Sequence, residues 1–129
     1  MKNVLRNALL IFVAMFIVAC SSNTPKDVAV GFLEEIYKDA DASDALKYVD
    51  LKGASDDGRA LLESKLKMAI GQVQNKAKEN GGVKSIEATN EKVDKNTAEV
   101  EVKITYDNGT ESKEKVRLIK VDDEWKIRM

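Results

Sequence analysis

The chain has 129 residues, 33% of them charged, a formal net charge of −1 and no histidine. Without histidine it lacks the commonest general base and the usual neutral metal ligand, so Ser-His-Asp and Cys-His catalysis are excluded. A mixed-sign surface of this kind does not attract nucleic acid. We therefore expect one small domain without catalytic residues, metal, cofactor or nucleic-acid partner.

The N-terminus has the three zones of a secretory signal. Lys2 and Arg6 give a positive start, and an uncharged apolar run occupies residues 8–19. That run has 12 residues, whereas a membrane-spanning helix needs about 20. Small residues follow just before Cys20, which is the only cysteine. The pattern predicts a signal peptide over residues 1–19, cleaved between Ala19 and Cys20.

The segment Ile17-Val18-Ala19-Cys20 resembles a lipobox, the cleavage site of bacterial prolipoproteins. The resemblance implies a diacylglyceryl thioether on Cys20, whose thiol takes the lipid, and acylation of the amine that cleavage releases. The mature chain has 19 basic and 22 acidic residues, so the lipid and not electrostatic attraction would hold it at the membrane. An ordinary secretory signal that ends near Ala19 is the alternative.

The same resemblance implies a place in the cell envelope. Sorting rules of this class retain Asp after the cysteine in the inner membrane, so Ser21 predicts the outer membrane, facing the periplasm. In a single-membrane bacterium the anchor would lie at the cell surface. Residues 20–24 carry the lipid and a tether of four residues, which reaches at most about 14 Å. Residues 25–129 form the predicted domain, which we expect to work close to the membrane.

Three helices are predicted in the first half of this domain. Thr24-Pro25-Lys26-Asp27 is typical of a helix start, and helical spacing extends the first helix over residues 25–39. Asp41 and Asp44 repeat the capping spacing before a short second helix, and residues 50–57 are predicted as a loop. The third helix carries one apolar stripe and ends at Asn80-Gly81-Gly82; the stripe consists of Leu62, Leu66, Ala69, Ile70, Val73 and Ala77.

After Gly82 the pattern alternates between apolar and polar residues, as in half-buried strands. The clearest strand covers residues 98–106, and Asn108-Gly109 predicts a hairpin to residues 111–121. A weaker strand over residues 85–93 and a last strand over residues 125–129 complete the set. The fold class is therefore α+β: three N-terminal helices packed on a four-stranded antiparallel meander.

Three segments resemble a family of small NTF2-like bacterial lipoproteins known largely as a domain of unknown function. They are Thr24-Pro25 with Phe32-Leu33, the segment Asp44-Ala45-Leu46-Lys47-Tyr48, and the ending Val121-Asp122-Asp123-Glu124-Trp125-Lys126-Ile127. The resemblance implies a curved sheet wrapped around helices, which forms a cone with an open mouth. It implies no activity.

We expect the cone either to bind a small hydrophobic ligand or to be filled by its own core. The candidate pocket residues are Phe32, Tyr37, Tyr106, Trp125 and Ile127. NTF2-like enzymes such as ketosteroid isomerases place an acid and a tyrosine inside the cone. The inward positions of the strand at residues 98–106 hold no acid. Binding without catalysis is therefore the favoured function, with an isomerase- or dehydratase-like enzyme as the weaker hypothesis.

A protein-interaction role is the second hypothesis. Val116 and Leu118 share one face of their strand, whereas Ile119 and Val121 lie on the other. Either a bulge shifts the register after Leu118, or the outer face carries an apolar patch that would suit a homodimer or an envelope protein.

The remaining charged groups have simpler interpretations. Asp56-Asp57 and Asp122-Asp123-Glu124 lack the alternating spacing of a calcium loop and are predicted to lie in a solvated loop and a β-turn. The acids and bases of the outer sheet face predict cross-strand ion pairs; they are Glu99, Glu101, Lys103, Lys113, Lys115 and Arg117.

Overall fold

The computed structural model describes residues 23–129, so the predicted signal peptide, its cleavage site and Cys20 lie outside the described residues. Helix α1 spans Pro25–Glu34 and continues into a π-helical turn, Glu35–Asp39. Helix α2 spans Ala42–Leu46, and helix α3 spans Asp56–Glu79. None of the helices within residues 23–129 combines the length and the apolar character needed to cross a membrane.

Helix α1 starts as predicted but changes its winding before its expected end. The Thr24 hydroxyl oxygen accepts a hydrogen bond from the Asp27 N–H at 3.2 Å, and Pro25 occupies the first turn. The last five residues of the predicted helix form the π turn, which ends where Ala40 adopts a φ of 53°. In the π turn, the sequence neighbours Ile36 and Tyr37 are both buried.

Helix α3 begins earlier than its apolar stripe indicates. Asp56 and Asp57 were predicted in a loop, but they form the first turn of α3, whose N-cap Ser55 accepts from the Gly58 N–H at 3.1 Å. Their carboxylates lie at the positive end of the helix dipole, which stabilises the helix start. At the other end, the Gly82 N–H donates to Ala77 at 2.7 Å in a Schellman-type cap.

Four antiparallel strands follow in the order β1-β2-β3-β4, which confirms the predicted meander. They are β1, Val83–Asp94; β2, Thr97–Tyr106; β3, Glu111–Val121; and β4, Glu124–Ile127. Positive φ angles at Asp122 and Asp123 form the two-residue turn between β3 and β4. The inward side chains of β2 form the centre of the core; Val100, Val102, Ile104 and Tyr106 are fully buried.

The three helices do not form a single layer on this sheet, which corrects the predicted packing. Helix α1 lies across the sheet and contacts all four strands, whereas α3 packs mainly on α2 and the π turn. Because α1 already covers the inner face of the sheet, the apolar stripe of α3 is buried largely against other helices. The predicted sheet is therefore confirmed, and the predicted helix arrangement only in part.

The short outer strand β4 is closed on its free edge by backbone and side-chain hydrogen bonds. The Asn23 amide bonds both the N–H and the carbonyl of Trp125. One step along the edge, the Ile127 N–H donates to Tyr48 and the Asp50 N–H donates to Ile127. This edge therefore has partners along its length.

The register of β3 decides between the two alternatives for its outer face. Its pairing with β2 and β4 runs without a shift, so there is no bulge between Leu118 and Ile119. Ile119 and Val121 lie on the outer face and are half-buried.

The buried apolar residues of α1, the π turn, α2, α3 and the strands form one continuous cluster. Among the described residues, every buried side-chain nitrogen or oxygen atom has a hydrogen-bond partner. Residues 23–129 therefore contain a complete core, as expected of a domain that folds on its own.

Candidate functional site

An open groove of about 360 Å³ lies where α1 and the π turn, α3, the middle of β3 and the end of β4 come together. Its volume falls in the range of about 300–1,000 Å³ that is usual for small-molecule sites. The floor is apolar and draws on all three parts of the fold; it consists of Phe32, Leu33, Ile36, Leu66, Val73, Val116 and Ile127.

Tyr37 and Glu114 form the polar pair on this floor. The Tyr37 hydroxyl donates to Glu114 Oε1 at 3.1 Å, and the side chain is only 5% exposed. Glu114 lies opposite Val102, on the inner side of the sheet, but it is exposed at the open rim of the groove. Burial, and then the nearby Glu114 carboxylate, raise the pKa of Tyr37 well above its ordinary value. Tyr37 therefore keeps its proton at neutral pH and acts as a hydrogen-bond donor.

Three cations line the same groove: Lys115, Arg117 and Arg128. None of them forms an ion pair with the residues of the described chain. Arg117 lies opposite Glu99 in the sheet, but the cross-strand pair predicted there is not made. The Arg128 N–H donates to the Arg117 carbonyl at 2.9 Å, which holds the two backbones side by side.

Elsewhere on the outer face, the predicted cross-strand pairing is present. Lys103 contacts Glu111 at 3.3 Å, and Lys113 contacts Glu101 at 3.9 Å. Because these two lysines lie directly opposite each other, each reaches a neighbouring acid instead. Of the basic residues named on this face, Lys115 and Arg117 make no ion pair within residues 23–129, and both line the groove.

Comparison with protein families gives a match over nearly the whole domain. The model of the domain of unknown function DUF4878 matches residues 18–128. The chain belongs to this family. A crystal structure at 2.00 Å of a Campylobacter jejuni protein, described as a candidate NTF2-like transpeptidase, is similar with a TM-score of 0.73 and 28% identity. The match covers 80% of this chain and 95% of that one, so the DUF4878 domain has an NTF2-like fold. No curated protein sequence matches the chain.

The DUF4878 domain brings three of the five candidate pocket residues to the groove. Phe32, Tyr37 and Ile127 line it. Tyr106 is instead fully buried, with its hydroxyl 3.3 Å from Ser112 Oγ. Trp125 is buried beside a separate depression next to Asn23 and Lys126.

Several groove residues of the DUF4878 domain were not among the candidates from the sequence. Glu114 lies on the same side of β3 as Val116 and Leu118 but is exposed, so strict alternation along β3 would have placed an acid next to the buried positions of this strand. The arginines carry no such signal, because Arg117 alternates outward and Arg128 follows the last strand. Only their position at the sheet's end brings them to the groove.

A group of acids lies outside the groove, around the π turn and α2. Burial, followed by the charges of Asp39, Asp44 and Asp41, raises the pKa of Glu35. Asp41 and Asp44 are engaged in capping α2 and in an ion pair with Lys47 at 2.9 Å. Within residues 23–129, no group of three or more acid, histidine or cysteine side chains could hold a metal ion.

Proposed function

We propose that this protein is a membrane-anchored bacterial lipoprotein whose DUF4878 domain binds a small hydrophobic ligand without catalysing a reaction. The observation that carries the proposal is the groove: an apolar floor from three elements, opened to solvent, with a single hydrogen-bonded acid–tyrosine pair. Apolar walls with a few placed polar groups are the usual composition of a small-molecule site.

The residues that line the groove support binding more than catalysis. Nucleophilic catalysis needs an activated Ser, Thr, Cys or comparable group, and the lining includes no Ser, Thr or Cys. Tyr37 holds its proton tightly, which makes it a poor base or nucleophile. The transpeptidase description of the Campylobacter jejuni protein is therefore not carried over to this chain.

The lipid anchor would place this groove near the membrane. Asn23 is bonded to Trp125 and Thr24 caps α1, so only Ser21 and Ser22 separate the fixed chain from Cys20. That span reaches about 10 Å. We propose an outer-membrane location facing the periplasm, where such a short tether would give access to ligands at the membrane surface. Globomycin treatment tests the anchor, because accumulation of an unprocessed precursor is expected and its absence would exclude the lipoprotein.

Ligand binding is tested on residues 21–129, purified gently from the periplasm, by native mass spectrometry. We expect extra mass that disappears on denaturation, and an affinity for straight-chain alcohols that rises about fourfold per methylene, since each buried methylene contributes about 0.8 kcal/mol. Val73→Asp places a charge on the groove floor and should abolish binding. Met68→Asp, on the exposed side of the same helix, is the matched control. The proposal would be contradicted if the protein carried no extra mass and its affinity for alcohols did not change with their chain length.

A dimer, or a complex with an envelope protein, is the second candidate function. Leu61 and Met68 of α3 are 58% and 68% exposed, and a spacing of seven residues places them on the same side of the helix. Sedimentation of the wild type and of Leu61→Glu/Met68→Glu tests the dimer. A concentration-dependent dimer that the variant abolishes would support it, and a strict monomer at high concentration would exclude it.

A further inference from the structure

We propose that the groove selects an anionic amphiphile, with a single acyl chain on the apolar floor and a carboxylate or phosphate head group against Arg117 and Arg128. This inference rests on the proposed binding function and adds the chemical class of the ligand. It comes from the arrangement of charged and apolar side chains around the groove.

The charge of the groove is unbalanced toward the positive sign. Its charged side chains are Glu114, Lys115, Arg117 and Arg128. The single acid accepts the hydrogen bond of Tyr37, and the three cations make no ion pair within the described chain. Guanidinium groups match carboxylates and phosphates with two parallel hydrogen bonds, so a free pair of arginines fits an anionic head group.

Arg117 of β3 and Arg128, which follows β4, both lie next in sequence to apolar residues of the groove. Val116 directly precedes Arg117, and Ile127 directly precedes Arg128; both apolar residues line the groove. The Arg128 N–H bond to the Arg117 carbonyl fixes this end of the sheet as one unit. Arg117 alternates outward and is exposed, as is Arg128, so the two arginines line the open rim of the groove and not its floor. A ligand with its chain on Val116 and Ile127 would carry its head group at this rim.

The acid–tyrosine pair sets the direction in which such a ligand would lie. Glu114 is three residues before Arg117 on β3, which is about 10 Å along a strand. A negative head group at the Glu114 end would be repelled by the carboxylate. The anion is therefore directed to the arginine end, and the chain extends toward Tyr37 and the helices.

The experiment compares ligands that share a chain of twelve carbons but differ in their head group. Laurate, dodecyl phosphate and dodecanol are titrated into residues 21–129 by calorimetry at low salt. We expect both anions to bind at least tenfold more tightly than dodecanol. Arg117→Gln/Arg128→Gln should reduce that preference to less than about threefold. Lys65→Gln/Lys76→Gln, two exposed lysines of α3 outside the groove, is the control with the same change in charge.

Inorganic phosphate, titrated alone, separates a plain anion site from an amphiphile site, and it should bind far more weakly than dodecyl phosphate. Equal affinities for laurate, dodecyl phosphate and dodecanol would overturn the inference but leave the proposed hydrophobic binding intact. Binding of none of them would overturn both. A preference for anions that survives in the double arginine variant, or phosphate that binds as tightly as dodecyl phosphate, would also overturn the inference.

Discussion

Tyr37 is the residue at which the packing of the core and the chemistry of the groove meet. Its ring is buried with the π turn, its hydroxyl donates to Glu114, and its backbone carbonyl accepts from Gln74 of α3 at 3.1 Å. Tyr37 thus joins the helical part of the molecule to β3, through its backbone carbonyl on one side and its hydroxyl on the other. Its protonation state is fixed by burial and by the adjacent carboxylate.

Tyr37→Phe is expected to reduce the loss in the free energy of unfolding that occurs when the pH rises above about 10. Because burial, and then the Glu114 carboxylate, raise the pKa of Tyr37 in the folded state above its ordinary value of 10.0, the unfolded state loses this proton first. The contribution is therefore fully present below about pH 10 and is lost as the pH rises beyond it.

Urea unfolding from about pH 8 to about pH 11.5 checks this. The wild type should lose more stability than Tyr37→Phe above pH 10, with Tyr48→Phe as the comparison for loss of a hydroxyl group at another tyrosine. Parallel profiles of wild type and Tyr37→Phe would show that the phenol is not linked to folding.

Asn23 is the second residue with an effect beyond its own position, because its amide occupies the edge of β4. The Nδ2 atom donates to the Trp125 carbonyl at 3.5 Å and Oδ1 accepts from the Trp125 N–H. Asn23→Ala leaves both backbone groups without these partners and should cost about 1–3 kcal/mol. Denaturant unfolding measures the loss. Asn75→Ala, on the exposed side of α3, should lose nothing, since alanine favours helix more than asparagine. Equal stability of the two variants would argue against the edge role.

At the scale of elements, two glycines of the α3 region are expected to respond oppositely to alanine. Gly71 lies inside α3 with open space around it, so Gly71→Ala should stabilise the protein by about 0.5–1 kcal/mol. Gly82 ends the helix with a φ of +101°, so Gly82→Ala should destabilise it by about 1–2 kcal/mol. Thermal unfolding of both variants decides this. Unchanged stability of Gly82→Ala would contradict the glycine cap, and destabilisation by Gly71→Ala would contradict the open space around that position.

Most elements were predictable from the sequence because their signals are local. Caps at Thr24 and Asp41, the Asn80-Gly81-Gly82 stop, and alternation along β2 depend on neighbours within a few residues. The π turn and the early start of α3 were missed. The π turn buries the sequence neighbours Ile36 and Tyr37, which the helical spacing did not indicate. Helix α3 begins at the Ser55 cap, which lies ahead of the apolar stripe.

At the scale of the whole molecule, we propose that the lipid holds the protein at the membrane. Removal of the predicted signal peptide, with Lys2 and Arg6, would leave 19 basic and 22 acidic residues. Lys126, near the N-terminal edge, is paired with Glu124 at 3.7 Å. Washing membranes with about 1 M salt should therefore release none of the protein, although such salt screens charges beyond about 3 Å. Release by salt would contradict lipid anchoring, and loss of labelled palmitate in Cys20→Ser provides the direct check.

The sequence by itself determined the α+β class, the four-stranded meander and the absence of histidine chemistry, and it predicts the lipid anchor. Periodicity, capping and turn residues act between residues that are close together in the sequence, so the elements that they specify can be predicted from the sequence. Only the tertiary structure decided which side chains meet. Glu114 and Tyr37 are 77 residues apart, and Trp125 and Asn23 are 102 apart. Arg128 reaches the backbone of Arg117 only because β4 pairs with β3. Such contacts depend on how α1 and α3 pack around the sheet, which local patterns do not specify.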